Sequence, residues 1–107
     1  MPHYLLQAAF KDTAVERLVD HPQAREDVVR KAVESLGGRM LQFYFCFGEY
    51  DSMVVAELPN NEAAMALSVV AAAGGAVSKA HTTTLITPEE AVRAMQAAGK
   101  ATYTPPS

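Results

Sequence analysis

The stretch RMLQFYFCFGEYDSMVVAEL, residues 39–58, decides the fold. Two runs rich in aromatic and β-branched residues, Arg39 to Phe47 and Ser52 to Leu58, flank the connection Gly48-Glu49-Tyr50-Asp51. Side chains of these types favour a pleated, half-buried backbone, and a glycine in the connection lets the chain reverse, so the stretch predicts a β-hairpin. Gly37-Gly38 stands just before it and Pro59-Asn60-Asn61 just after. The first suits the left-handed end of a helix and the second stops a strand and offers a helix N-cap.

The neighbours of the hairpin follow from the same signals. Upstream, Gln23 to Leu36 has helical periodicity, with Val28, Val29, Ala32, Val33 and Leu36 on one face. Glu26–Arg30 and Asp27–Lys31 are expected as i,i+4 pairs on the other face. Asp20-His21-Pro22 separates this helix from a shorter one, which Thr13-Ala14-Val15-Glu16 opens as a capping box. His3 to Phe10 reads as the first strand. Downstream, Ala63 to Ala73 is a helix closed by Gly74-Gly75, and Val77 to Ile86 is a Thr-weighted fourth strand. Thr87-Pro88-Glu89-Glu90 opens a last helix as a capping box with proline at its first position, and Gly99 is expected to close it. The order β-α-β-β-α-β plus a terminal helix predicts an α+β, ferredoxin-like split βαβ domain. Right-handed crossovers place both main helices on one face of a four-stranded antiparallel sheet, leaving the other face open. The domain covers residues 1–99, and residues 100–107 read as a flexible polar tail.

Strand alternation sorts the two faces. Tyr4, Leu6, Ala8 and Phe10, then Leu41, Phe43, Phe45 and Phe47, then Val54, Ala56 and Leu58 form the apolar sets expected under the helices. The second face mixes His3, Gln7, Gln42, Tyr44, Cys46 and Glu57 with Leu5, Met40, Met53 and Val55. In the fourth strand either His81 and Thr83 or Thr82 and Thr84 share that face. Such a face is too apolar to be left to water and too polar for an ordinary core. It suits an oligomer interface, a small-molecule cavity closed by a partner, or both.

Composition agrees. The 107 residues allow one domain. Alanine supplies 19 of them and is the largest apolar class, so the large residues available for a core are few. The helix from Ala63 to Ala73 is apolar around its whole circumference except at Ser68. Both features predict a homo-oligomer. A net charge of −3 excludes the electrostatic footprint of a nucleic-acid or anionic-membrane binder. The single cysteine, Cys46, permits no internal disulfide, and Met1-Pro2-His3-Tyr4 is not the start of a secretory signal. A cytoplasmic protein is expected.

Five stretches together resemble the GYD domain family. They are Met1-Pro2-His3-Tyr4-Leu5, Gly37-Gly38, Phe47-Gly48-Glu49-Tyr50-Asp51, Gly74-Gly75-Ala76-Val77, and the segment from Thr82-Thr83 to Thr87-Pro88-Glu89-Glu90. The likeness spans about residues 1–98. It implies a small α+β domain of the dimeric α/β-barrel type, usually without an assigned activity, and carries over no catalytic residues.

Candidate chemistry therefore rests on the residues themselves. His3, His81, Tyr44 and Glu57 are candidate catalytic groups, since a histidine or carboxylate between apolar walls suits proton abstraction. Gln7, Gln42, Tyr50 and Asp51 are candidate ligand-binding groups. Each also has a plainer role: Asp51 as a turn residue, Tyr50 as an anchoring ring, the histidines as interface residues. No H-x-H or C-x-x-C spacing suggests a metal, and nothing implies a cofactor. Cys46 is expected to be an inert thiol. The main functional expectation is an oligomeric module binding a small molecule at the open sheet face or subunit interface. The alternatives are a cofactor-independent isomerase or oxygenase, which rests on fold analogy, and an effector-binding regulatory subunit.

Overall fold

A computed structural model describes residues 1–22 and 25–107. The elements run β1 (His3–Phe10), α1 (Asp12–Asp20), α2 (Arg25–Ser35), β2 (Arg39–Phe45), β3 (Ser52–Glu57), α3 (Asn61–Ala73), β4 (Val77–Leu85) and α4 (Pro88–Lys100). The strands form one antiparallel sheet in the order β2-β3-β1-β4, with the hairpin of residues 39–58 making one half of it. This is the ferredoxin-like architecture. Among the described residues, no helix is long and apolar enough to cross a membrane.

The core lies between the helices and one face of the sheet. Tyr4, Val54, Ala56 and Leu58 from the strand side meet Val33 of α2 and Ala64 and Leu67 of α3. The Tyr4 hydroxyl, fully buried, donates to Asn61 Oδ1 at 2.7 Å, so its polar tip is satisfied within the apolar contact. Asn60 caps α3 by accepting from Ala63 N at 2.9 Å, as the asparagine pair suggested. α2 ends as expected on Gly37, at φ +83°, with Gly38 N donating to Val33 O and Gly37 N to Glu34 O, both at 3.0 Å. Gly38 has a second reason to be glycine: a Cβ there would stand 2.3 Å from the Glu57 carbonyl oxygen, so the helix end and β3 could not approach.

Several local expectations are corrected. Thr13 does not cap α1. Lys11 N donates to Ala76 O at 2.9 Å, which fixes the chain to the sheet there, and the helix starts at Asp12 with Lys11 as N-cap. Asp27 pairs with Arg30 rather than Lys31, because Arg30 spans both Glu26 and Asp27 at 3.0 Å with its forked guanidinium. The part of the second helix assigned to Gln23 and Ala24 lies outside the described residues. α4 passes through Gly99 to Lys100, since a glycine in an exposed helix costs only about 1 kcal/mol relative to alanine and does not by itself end it. Residues 101–107 are exposed and have no regular structure.

The most consequential correction is in β2. Its register against β3 shifts between Met40 and Gln42, where Met40 faces Ala56 and Gln42 faces Val55. One extra residue, Leu41, is accommodated in a bulge. Met40 therefore joins the core side instead of the mixed face. Phe43 keeps its core position, but Phe45 is 61% exposed and Phe47, beyond the strand end, is fully exposed. The apolar set assigned to this strand is thus only partly covered by helices.

Candidate functional site

Cross-strand partners project to the same side of a sheet, so the pairing reads out the open face directly. One row across it is Arg39, Glu57, His3 and Leu85; the next is Gln42, Val55, Leu5 and Thr83; the third is Tyr44, Met53, Gln7 and His81. Strand four is thereby resolved: His81 and Thr83 lie on the open face. Thr82 and Thr84 lie on the helix side, where Thr82 Oγ1 is 2.9 Å from Ser68 Oγ of α3.

The charged groups of this face stand at its two ends. At one end, His3 Nε2 stands 3.3 Å from Glu57 Oε1, and the other oxygen of Glu57 is 3.4 Å from an Arg39 guanidinium nitrogen. His3 Nδ1 is buried and has no hydrogen-bond partner among the described residues. At the other end, Lys79 Nζ bonds Glu49 Oε1 at 2.8 Å and sits 5.2 Å from the centre of the Tyr50 ring. The same Tyr50 ring is 6.5 Å from that of His81, whose Nδ1 is 3.3 Å from Thr83 Oγ1. The hydrogen bond from Lys79 holds the Glu49 carboxyl below its ordinary value. Between the two ends Leu5, Val55 and Met53 supply the apolar surface, all half-buried.

The candidate catalytic groups accordingly share a face but do not converge. His3 and Glu57 are in contact; His81 lies two rows away, about 13 Å along the strand. Tyr44 and His81 occupy opposite edge strands of the same row, about 14 Å apart by strand spacing. Of the ligand-binding candidates, Gln7 and Gln42 lie on the face and Tyr50 at its edge beside His81. Asp51 is used by the backbone: its Oδ2 accepts from Phe10 N at 2.8 Å, and its own N–H donates to Ala8 O at 2.9 Å. Cys46 donates its thiol to Tyr50 O at 3.2 Å, and neither Arg39 nor Lys79 pairs with it. Among the described residues, no cluster of three or more histidines, cysteines or carboxylates is placed to hold a metal ion.

The opposite side of the sheet holds a feature that strand alternation did not reveal. α2 sits over β2 and α3 over β4, at the two edges, leaving the central strands roofed incompletely. Between the helices runs a cleft of about 530 Å³, floored by Leu6, Ala8 and Val54 and walled by Val29, Ala32 and Ala71, with Arg17 and Arg25 also lining it. The alanine content bears on it: at Ala8, Ala32 and Ala71 a small side chain leaves space where a larger one would close it.

Comparison with known proteins places this geometry. The family model of the GYD domain matches residues 4–95. Among curated proteins none matches the chain significantly. The crystal structure of MtbAldR superposes with a TM-score of 0.61 at 15% identity, over 80% of this chain and 53% of that one, so the chain spans about half of that protein. FFRP-DM1 gives a TM-score of 0.49 at 14% identity, over 80% of this chain and 100% of that one. A point mutant of MhuD, solved with two manganese protoporphyrin IX molecules per active site, gives 0.45 at 20% identity, over 82% and 95%. At these identities the likeness concerns the fold.

Proposed function

The chain belongs to the GYD domain family, and from that premise and the sheet geometry we propose a small-molecule-binding protein that self-associates through its open sheet face. The ligand sits on that face or at the interface between subunits. The carrying observation is the three-row pattern, in which Leu5, Val55 and Met53 form an apolar centre flanked by Gln42, Tyr44, Gln7 and His81. Apolar surface with a few polar groups beside it suits a small-molecule site, and a second such sheet would supply the missing wall and bring further polar groups to it. Native mass spectrometry of gently purified protein tests both parts, reporting the subunit count and any retained molecule. We expect a multimer, converted to monomer by Val55→Lys with the circular dichroism spectrum unchanged. A single-subunit species at every concentration would refute the reading.

A second reading is favoured by the His3–Glu57 contact. A histidine held by a carboxylate is oriented for general-base work, and the pair flanks the same apolar strip. In that reading the protein is a cofactor-independent enzyme of isomerase or oxygenase type. Its mark would be turnover lost in both His3→Gln and Glu57→Gln while ligand retention persists.

A further inference from the structure

The cleft on the helix side is lined mainly by residues that do not belong to the open face. Its depth is apolar, built from Leu6, Val29, Phe43 and Leu67 together with small residues such as Ala32 and Ala71. No aspartate or glutamate lines it, although the chain as a whole is acidic, with net charge −3. The two full cations that do line it are Arg17, exposed on α1, and Arg25, half-buried at the start of α2. Among the described residues the ion pairs engage Arg30, Arg39, Lys79 and His3, and neither Arg17 nor Arg25 belongs to one. An arginine left without a carboxylate retains a forked set of donors matched to an oxyanion.

We propose that this cleft binds an amphiphilic anion, with its apolar tail between α2 and α3 over the central strands and its oxyanion headgroup on Arg17 and Arg25. Three features converge on that class. The volume of about 530 Å³ falls in the range that encloses a whole small ligand. The walls offer a tail dispersion contact and release of water, and few polar groups compete for it. Two arginines on a lining that holds no carboxylate favour a negative head over a neutral one of equal size. Carboxylate and phosphate heads share this chemistry.

Calorimetric titration of the full chain with dodecanoate, dodecyl phosphate and dodecanol, all below their micellar concentrations, tests the proposal. One anionic ligand per chain is expected, with at least one of the two anions binding about tenfold or more tighter than the alcohol, as charge-assisted bonds to two guanidinium groups imply. Whichever anion binds tighter identifies the preferred head. The double variant Arg17→Gln/Arg25→Gln should bring the anions to the affinity of dodecanol and leave the alcohol unchanged, while Lys31→Gln, on the exposed side of α2, leaves the preference intact. Ala71→Phe, which fills the cleft, should abolish binding of all three. Equal affinity for anions and alcohol in the unmodified protein overturns the headgroup assignment. Binding that survives Ala71→Phe, or no binding of any of the three, overturns the cleft as the site.

Discussion

Asp51 shows how one residue can be read correctly in type and still be decided only by its contacts. A carboxylate beside Tyr50 at the edge of the open face suits a ligand-binding group, yet its Oδ2 is occupied by Phe10 N at 2.8 Å. Its main-chain groups are engaged too, the N–H with Ala8 O and the carbonyl with Cys46 N, both at 2.9 Å. The residue thus joins the hairpin connection to the end of β1, next to the point where the β1–β4 register shifts between Ala9 and Phe10. Replacing it by alanine leaves the half-buried Phe10 N–H without that acceptor and should cost about 1–3 kcal/mol. Asp51→Asn, which keeps a carbonyl oxygen in the same place, should recover part of the loss. Urea unfolding of the two variants checks this. An alanine variant as stable as the parent would free Asp51 for the ligand role.

At the scale of elements, α4 offers the sharpest test of a motif read from sequence. Thr87 accepts from Glu90 N while Glu90 Oε1 accepts from Thr87 N, each at 3.2 Å. The backbone hydrogen bond from Thr87 is the largest cause holding the Glu90 carboxyl below its ordinary value of 4.5, followed by the Thr87 side chain. Because the folded value is the lower one, the box is fully effective above the ordinary value and is lost as pH falls through the folded one. Thr87→Ala, which removes the hydroxyl and keeps the backbone N–H, should therefore raise the Glu90 midpoint modestly in an NMR titration, and an unchanged midpoint would show that the hydroxyl half of the box does not persist in solution. The same motif type at Thr13 failed, because Lys11 is bonded to Ala76 and the helix had already begun. Element order, the hairpin and the caps at Gly37, Asn60 and Thr87 were legible because their signals lie within a few residues, and the sheet's open face was legible from the two-residue alternation of its strands. The bulge at Leu41 was not, because nothing in strict alternation marks the one position where two residues oppose one. Nor was the cleft, whose width depends on how far apart α2 and α3 sit over β2 and β4.

At the scale of the whole molecule, the radius of gyration is 17.4 Å, against about 13 Å for a compact domain of 100 residues. The longest dimension, 59 Å, exceeds the next by 26 Å, close to the length of a 13-residue helix with a short tail. α4 and the tail after it have the length to account for this. α4 contains no buried residue and is not packed extensively on any element of its own chain. Yet it is amphipathic, with Ala91, Val92, Met95 and Ala98 on one face, and Val92 and Met95 are 52% and 70% exposed. Met65, Val69 and Val70 of α3 are exposed as well, so the terminal helix does not cover the all-apolar helix of its own chain. A helix this short gains little from propensity alone and owes its stability to whatever its apolar face meets. If that surface is a second copy of the chain, mass action makes the contribution of α4 concentration-dependent. Truncation before Pro88 should then leave thermal unfolding of dilute protein nearly unchanged. In concentrated samples the full chain should melt progressively higher while the truncated chain does not. Differential scanning calorimetry over a hundredfold range of concentration separates the cases. A loss of stability that is the same at every concentration would instead place α4 against its own domain, and the apolar face of α4 would then belong to the core of a single subunit.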